Sequence, residues 1–181
     1  MKRVILTPAE LGGAALGELK QWLAISTADD DAVLLGLLKS SSDMCEAFTG
    51  AMPLLAACEE LHPVTNEWQN LITRPVEAIT RIEGVPAEGS RFSLASDAYE
   101  IDLDADGTGR FRILSQGAAG RAAIRFDAGI APDWSALPKA LSHGIIRLAA
   151  QQYRERDNGE LSAPPAAVTA LWRPWRKIRL T

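Results

Sequence analysis

The apolar pattern of this chain changes period twice, and those changes constrain its fold more than any other feature. After Asp29-Asp30-Asp31, the residues Leu34, Leu37, Leu38, Met44, Cys45 and Phe48 recur at helical spacing and fall on one face. From Met52 to Ala131 that period disappears. Pro53, Pro63, Pro75 and Pro86 cut the segment into short pieces, and several of them alternate apolar with charged residues. Helical spacing returns at Ser135, where Leu137, Leu141, Gly144, Ile145, Leu148 and Gln152 share a face. Neither an all-helical bundle nor a single sheet accommodates this order, so an α+β fold is expected.

Local signals place the elements. The spacing of Leu16, Leu19, Trp22 and Leu23 predicts a first helix over 9–23, weakened at its start by Gly12, Gly13 and Gly17. A second helix is expected over 28–48. Thr27 is its expected N-cap, the acidic run lies at the positive end, and Gly50 is placed to stop it. The third is expected over 135–157, with Pro138 in the first turn, where a missing N–H is harmless. A short helix is expected from Ala166 to Trp172, broken by Pro174.

In the middle, Tyr99, Ile101 and Leu103 alternate with Glu100 and Asp102. Beyond a glycine-rich turn, Phe111 and Ile113 alternate with Arg110 and Arg112, which predicts a hairpin. Val76 to Ile82 and the segment with Ala122, Ile124 and Phe126 are further strands. The expected architecture is a small helical bundle of about four helices. An antiparallel β-structure over 52–131 is inserted between the second and third helices, and an extended tail closes the chain. The expected division is one domain over 1–163 and a C-terminal segment over 164–181.

Composition narrows the function. The chain has 181 residues, 47% apolar and 23% charged, as expected of a globular domain. No apolar run approaches the roughly 20 residues that span a bilayer, and the N-terminal apolar stretch is shorter than the roughly 7–15 residues of a secretory h-region. A net charge of −4 argues against a protein that grips nucleic acid over its whole surface. Cys45 and Cys58 suit a reducing compartment, and His62 and His143 are too isolated for a zinc site.

The chemical motifs mostly resolve into structure. Asp102-Leu103-Asp104-Ala105-Asp106-Gly107 matches the opening of a calcium loop, but position twelve is Ile113 rather than glutamate and no helices flank it. The segment reads instead as a hairpin with Asp106-Gly107 at its tip. Gly-x-Ser-x-Gly is absent, Ser142 and His143 are helix neighbours whose side chains diverge, and the glycine-rich stretches lack the context of a phosphate loop. No catalytic residue, cofactor site or metal ligand is assigned, and the chain is not expected to be an enzyme.

The C-terminus is different. Trp172, Arg173, Trp175, Arg176, Lys177 and Arg179 crowd into the last ten residues of an acidic protein. Tryptophan and arginine are the residue types most enriched at interface hot spots, so these six are the candidate docking residues. The other reading is a terminal helix folded back on its own core, with its tryptophans buried and its arginines solvated.

With these features in place the chain resembles the head–tail connector (adaptor) family of long-tailed phages and the related bacterial gene transfer agents. The resemblance rests on the opening LTPAELGGAALGELKQWLAI, the Thr-Ala-Asp-Asp-Asp approach to a helix ending CEAFTG, and the β-rich middle. It continues through the late helix LPKALSHGIIRLAAQQYRERD and the basic, aromatic end. It implies a homo-oligomeric ring, usually of twelve subunits, in the neck of a virion or phage-like particle assembled in the bacterial cytoplasm. It also implies a portal protein on one side and a tail-side stopper or neck protein on the other. DNA would pass through the bore without sequence-specific binding, no membrane is involved, and the C-terminal segment engages the portal. An acidic bore would repel the passing polyanion, and Asp29–Asp31, Glu59 and Glu60 are its candidate lining. Two other readings stay open: a nucleic-acid-binding module using the basic tail, and an enzyme with an unrecognised site in the β insertion.

Overall fold

The computed structural model describes residues 3–156 and 163–176. The chain divides into two units: a β unit of Met1–Pro8 with Leu55–Gly129, and a helical unit of Ala9–Leu54 with Ile130–Thr181. Residues 164–176 therefore group with the helices. Among the described residues, no helix is long and apolar enough to cross a membrane.

The β unit holds two antiparallel sheets. The first has the order β1-β2-β8-β4-β5, from β1 (Arg3–Thr7), β2 (Ala56–Pro63), β8 (Arg121–Ala128), β4 (Val76–Val85) and β5 (Phe92–Ser93). The second has the order β3-β7-β6, from β3 (Gln69–Asn70), β7 (Gly109–Ile113) and β6 (Tyr99–Leu103). The predicted hairpin forms in the expected register, with Tyr99 opposite Ile113 and Leu103 opposite Gly109. The strand through Ile124 is central, and Ala122, Ala123, Ile124, Phe126 and Ala128 are all buried. Cys58, Leu71, Ile82, Phe111 and Ile113 complete this core.

Two strands depart from expectation. The sheet is not only an insertion between helices, because β1 precedes the first helix and pairs with β2. The second departure is β2 itself, which buries Glu59, Glu60 and His62 alongside Cys58. Buried charge of this kind persists only when it is fully partnered.

The helical unit is built from α1 (Gly12–Leu23), α2 (Asp31–Thr49), α3 (Lys139–Arg154) and α4 (Ala166–Trp172). Its core joins Leu19, Leu34, Leu38, Cys45, Leu141, Ile145, Leu148 and Trp172. The start of α2 is three residues later than expected. Thr27 is exposed and does not cap it; Asp30 stands at the N-cap without a side-chain cap bond. The flanking acids have other partners, since Lys20 Nζ donates to Asp31 over 2.5 Å and the Tyr153 hydroxyl donates to Asp30 over 2.5 Å. Gly50 ends α2 as expected, with φ +72° and its N–H donating to the Glu46 carbonyl. The third helix starts at Lys139, so Pro138 is its N-cap rather than a first-turn residue, and Trp134 and Leu137 lead into it as buried anchors.

Candidate interaction site

The C-terminal segment is built onto α3. Gly144 leaves a notch in the α3 surface, and a Cβ there would overlap the Trp172 indole. Trp172 fills the notch completely buried, and its Nε1–H donates to the Leu141 carbonyl over 3.4 Å. Phe48 of α2 lies against it with ring centroids 6.0 Å apart. Trp172 therefore packs inside its own helical unit, as corrects its expected place on an exposed docking surface. A large aromatic beside a glycine notch gains more from core packing than from solvent exposure.

Beyond Trp172 the segment changes character. Arg173 opens a 3-10 turn, Arg173–Trp175, and is exposed. Trp175 is half-buried against the core. Arg176 is exposed, with its guanidinium 5.6 Å above the Phe48 ring, a cation–π contact. Lys177 and Arg179 lie outside the described residues. The two alternative readings of the tail thus divide at one residue: Trp172 is core, whereas Arg173 and Arg176 present charge at the surface.

The helical unit also carries a groove that no sequence signal marked. Trp22 on α1 and His143 on α3 meet edge to face, with centroids 5.3 Å apart. Glu18, Gln21, Lys139, Ser142 and Ile146 line the same cavity of about 590 Å³. Trp22 is 45% exposed, and His143 is an exposed ring rather than a buried base. Helical spacing places Trp22 and His143 on their own helices but says nothing of which helices pack together, so the pairing was invisible.

The expected acidic lining is corrected by burial. Glu59 is a buried hub that accepts hydrogen bonds from Arg91 over 2.8 and 2.9 Å and from Arg125 over 3.1 Å. Arg125 continues to Glu83 at 3.2 Å, and Glu83 to Arg81 at 3.5 Å. Burial pushes the Glu59 carboxyl upward, but the two guanidiniums outweigh it and hold it below the ordinary range. Glu60 is enclosed by His62, the Ile72 N–H, and the Thr73 N–H and hydroxyl. Burial raises this carboxyl too, yet the hydrogen bonds prevail and lower it to about 2. Both glutamates are structural, and neither can line a bore. Of the acidic run, Asp29 is exposed, whereas Asp30 and Asp31 are half-buried.

The remaining chemical candidates are likewise occupied. In the hairpin, Arg110 pairs with Asp102, and with Asp104 at 3.0 Å, while Asp106 accepts from the Thr108 N–H over 2.9 Å. Carboxylates neutralised by a guanidinium are poor cation ligands, and the segment is the turn that its glycine, φ +81° at Gly107, was expected to make. Both cysteines are free and buried. Burial, with Glu46 nearby, pushes the Cys45 thiol up to about 12, which leaves it no nucleophile at neutral pH.

No family model and no curated protein matches the chain. Solved structures do. The neck of an empty gene transfer agent (GTA) particle computed with C6 symmetry contains a chain of 28% identity and TM-score 0.79, with 100% of this chain and 98% of that one covered. A chain in the virion of a native GTA particle aligns at 29% identity and TM-score 0.75, with coverage of 100% and 98%. The neck of a native GTA particle computed with C12 symmetry has one at 28% identity and TM-score 0.74, covering 98% of this chain and 97% of that one. Over essentially its whole length, then, this chain is similar to structural proteins of gene transfer agent particles, found in the particle neck.

Proposed function

We propose that the chain is a head–tail connector (adaptor) subunit. It assembles into a ring of twelve between the capsid portal and the tail-side neck proteins, and DNA passes through the bore. The observation that carries this reading is the full-length similarity to chains in GTA necks computed with C6 and C12 symmetry. A role in a cyclic assembly needs contact surfaces rather than a catalytic centre.

In this reading the C-terminal segment engages the portal. Trp172 fixes its base in the Gly144 notch, and Arg173, Trp175, Arg176, Lys177 and Arg179 make the contact. With Trp172 anchored, Arg173 and Arg176 are presented at small entropic cost, because their part of the chain is already held on the helical unit. Asp29, the exposed member of the acidic run, remains a candidate for the bore lining. The particle is phage-like, with assembly in the bacterial cytoplasm.

The test is electron microscopy and size analysis of the full chain co-expressed with the portal protein of the same gene cluster. Rings of this chain stacked on portal rings are expected. A chain that stays monomeric and fails to bind portal rings would reject the proposal.

A further inference from the structure

The sheets of the β unit end in four edges among the described residues, and the edges are unequal. Two are two-residue strands, β3 and β5, while β1 and β6 are five residues each. Every residue of β1 is exposed, and its centre is aliphatic: Val4 is 45% and Ile5 41% exposed. On β6, Ile101 is 45% and Leu103 43% exposed. An apolar edge strand without lysine or proline inside it is a template for another strand, and natural proteins leave one only where something covers it.

We infer that β1 of one subunit adds to the β6 edge of the next, so that the ring closes through strand pairing between copies. This rests on the ring reading above. A cyclic interface is head-to-tail and needs two different, complementary patches on each subunit, and β1 and β6 are five-residue strands at the outer positions of two different sheets. Their side chains also match. Along β6, Ile101 and Leu103 share one face and Glu100 and Asp102 the other. Setting Val4 beside the aliphatic pair gives apolar contact on that face, and places Arg3 and Ile5 on the other, where Glu100 and Asp102 already pair with Arg112 and Arg110. The register shift in β1 between Ile5 and Thr7 leaves Arg3–Ile5 as the regular stretch and sets the length of the ladder.

The test uses paired cysteines in the full chain co-expressed with portal. Val4→Cys is combined with Ile101→Cys or Leu103→Cys, and Ile5→Cys with Glu100→Cys or Asp102→Cys, giving four double variants that each join residues of one face. The native thiols are buried and do not compete. On oxidation at least one double variant should give a ladder of linked oligomers up to the closed ring, while every single variant stays unlinked. Rings that form normally but link in none of the four would overturn the strand pairing and leave the ring reading standing. Dimers from Val4→Cys or Ile5→Cys alone would overturn it in favour of two β1 strands pairing with each other. Failure of the unmodified chain to assemble would remove both readings together.

Discussion

At residue 144 the space above the α3 backbone is filled by an indole from a distant part of the chain, so a methyl group there and Trp172 cannot both be accommodated. Gly144→Ala should cost about 1–3 kcal/mol through overpacking, and Trp172→Ala about 3–5 kcal/mol through a cavity. Urea denaturation followed by tryptophan fluorescence measures both. Ala24 supplies an opposite case. It ends α1 in the left-handed conformation at φ +58°, which a residue with a Cβ adopts at a cost of about 1 kcal/mol. Ala24→Gly should recover most of that and raise the melting temperature. Glu60 sets a pH limit. Its folded carboxyl is lowered from 4.5 to about 2, so the folded state binds the proton more weakly than the unfolded one. The resulting stabilisation, on the order of 3 kcal/mol, is complete above about pH 4.5 and is lost as pH falls towards 2. Hydrogen exchange in peptides from β2 and β8 should accelerate over that window, and Glu60→Gln should flatten the dependence.

Among the elements, visibility in the sequence followed local patterning. The hairpin of β6 and β7 could be read because its outer face alternates charge, and the same alternation pairs Glu100 with Arg112 and Asp102 with Arg110. The buried stripe of α2 was plain for the same reason. By contrast β2 could not be read, since its buried residues include two glutamates and a histidine whose partners, Thr73, Arg91 and Arg125, lie far along the chain. No window of adjacent residues contains that compensation. Strand β1 was missed because a short aliphatic run gains its meaning only from pairing with β2. Thr27 shows the reverse error, a good capping residue at a position the helix does not reach. Thr27→Ala should therefore change stability by less than about 0.5 kcal/mol, against about 1 kcal/mol for a true cap, and a thermal melt separates the two.

For the molecule as a whole, the layout of helices around a β-rich middle and the neck-type resemblance were accessible from the sequence, and the similarity to GTA neck chains agrees with them. The candidate site was accessible only in part. Residue types drew attention to the C-terminus, but packing decided that Trp172 faces inward, and burial removed Glu59 and Glu60 from the acidic surface. Deleting residues 173–181 should abolish portal capture while the helical core, with Trp172 in place, stays folded at a melting temperature lowered by the lost Trp175 and Arg176 contacts. Pull-down on immobilised portal rings, paired with a melt of the same variant, checks both halves.

The stitching of β1 onto a sheet otherwise made from residues 55–129 also has a temporal meaning. On the ribosome β1 emerges first, yet its hydrogen-bonding partner β2 is made only after α1 and α2, so the aliphatic strand stays unpaired while the intervening residues are translated. The helical unit waits in the same way, because α1 and α2 precede α3 by the entire β-rich stretch. The β unit can close once residue 129 is made, whereas the helical unit must wait for α3 and α4, and a ribosome stalled before β2 would display an aliphatic strand whose partner is not yet made.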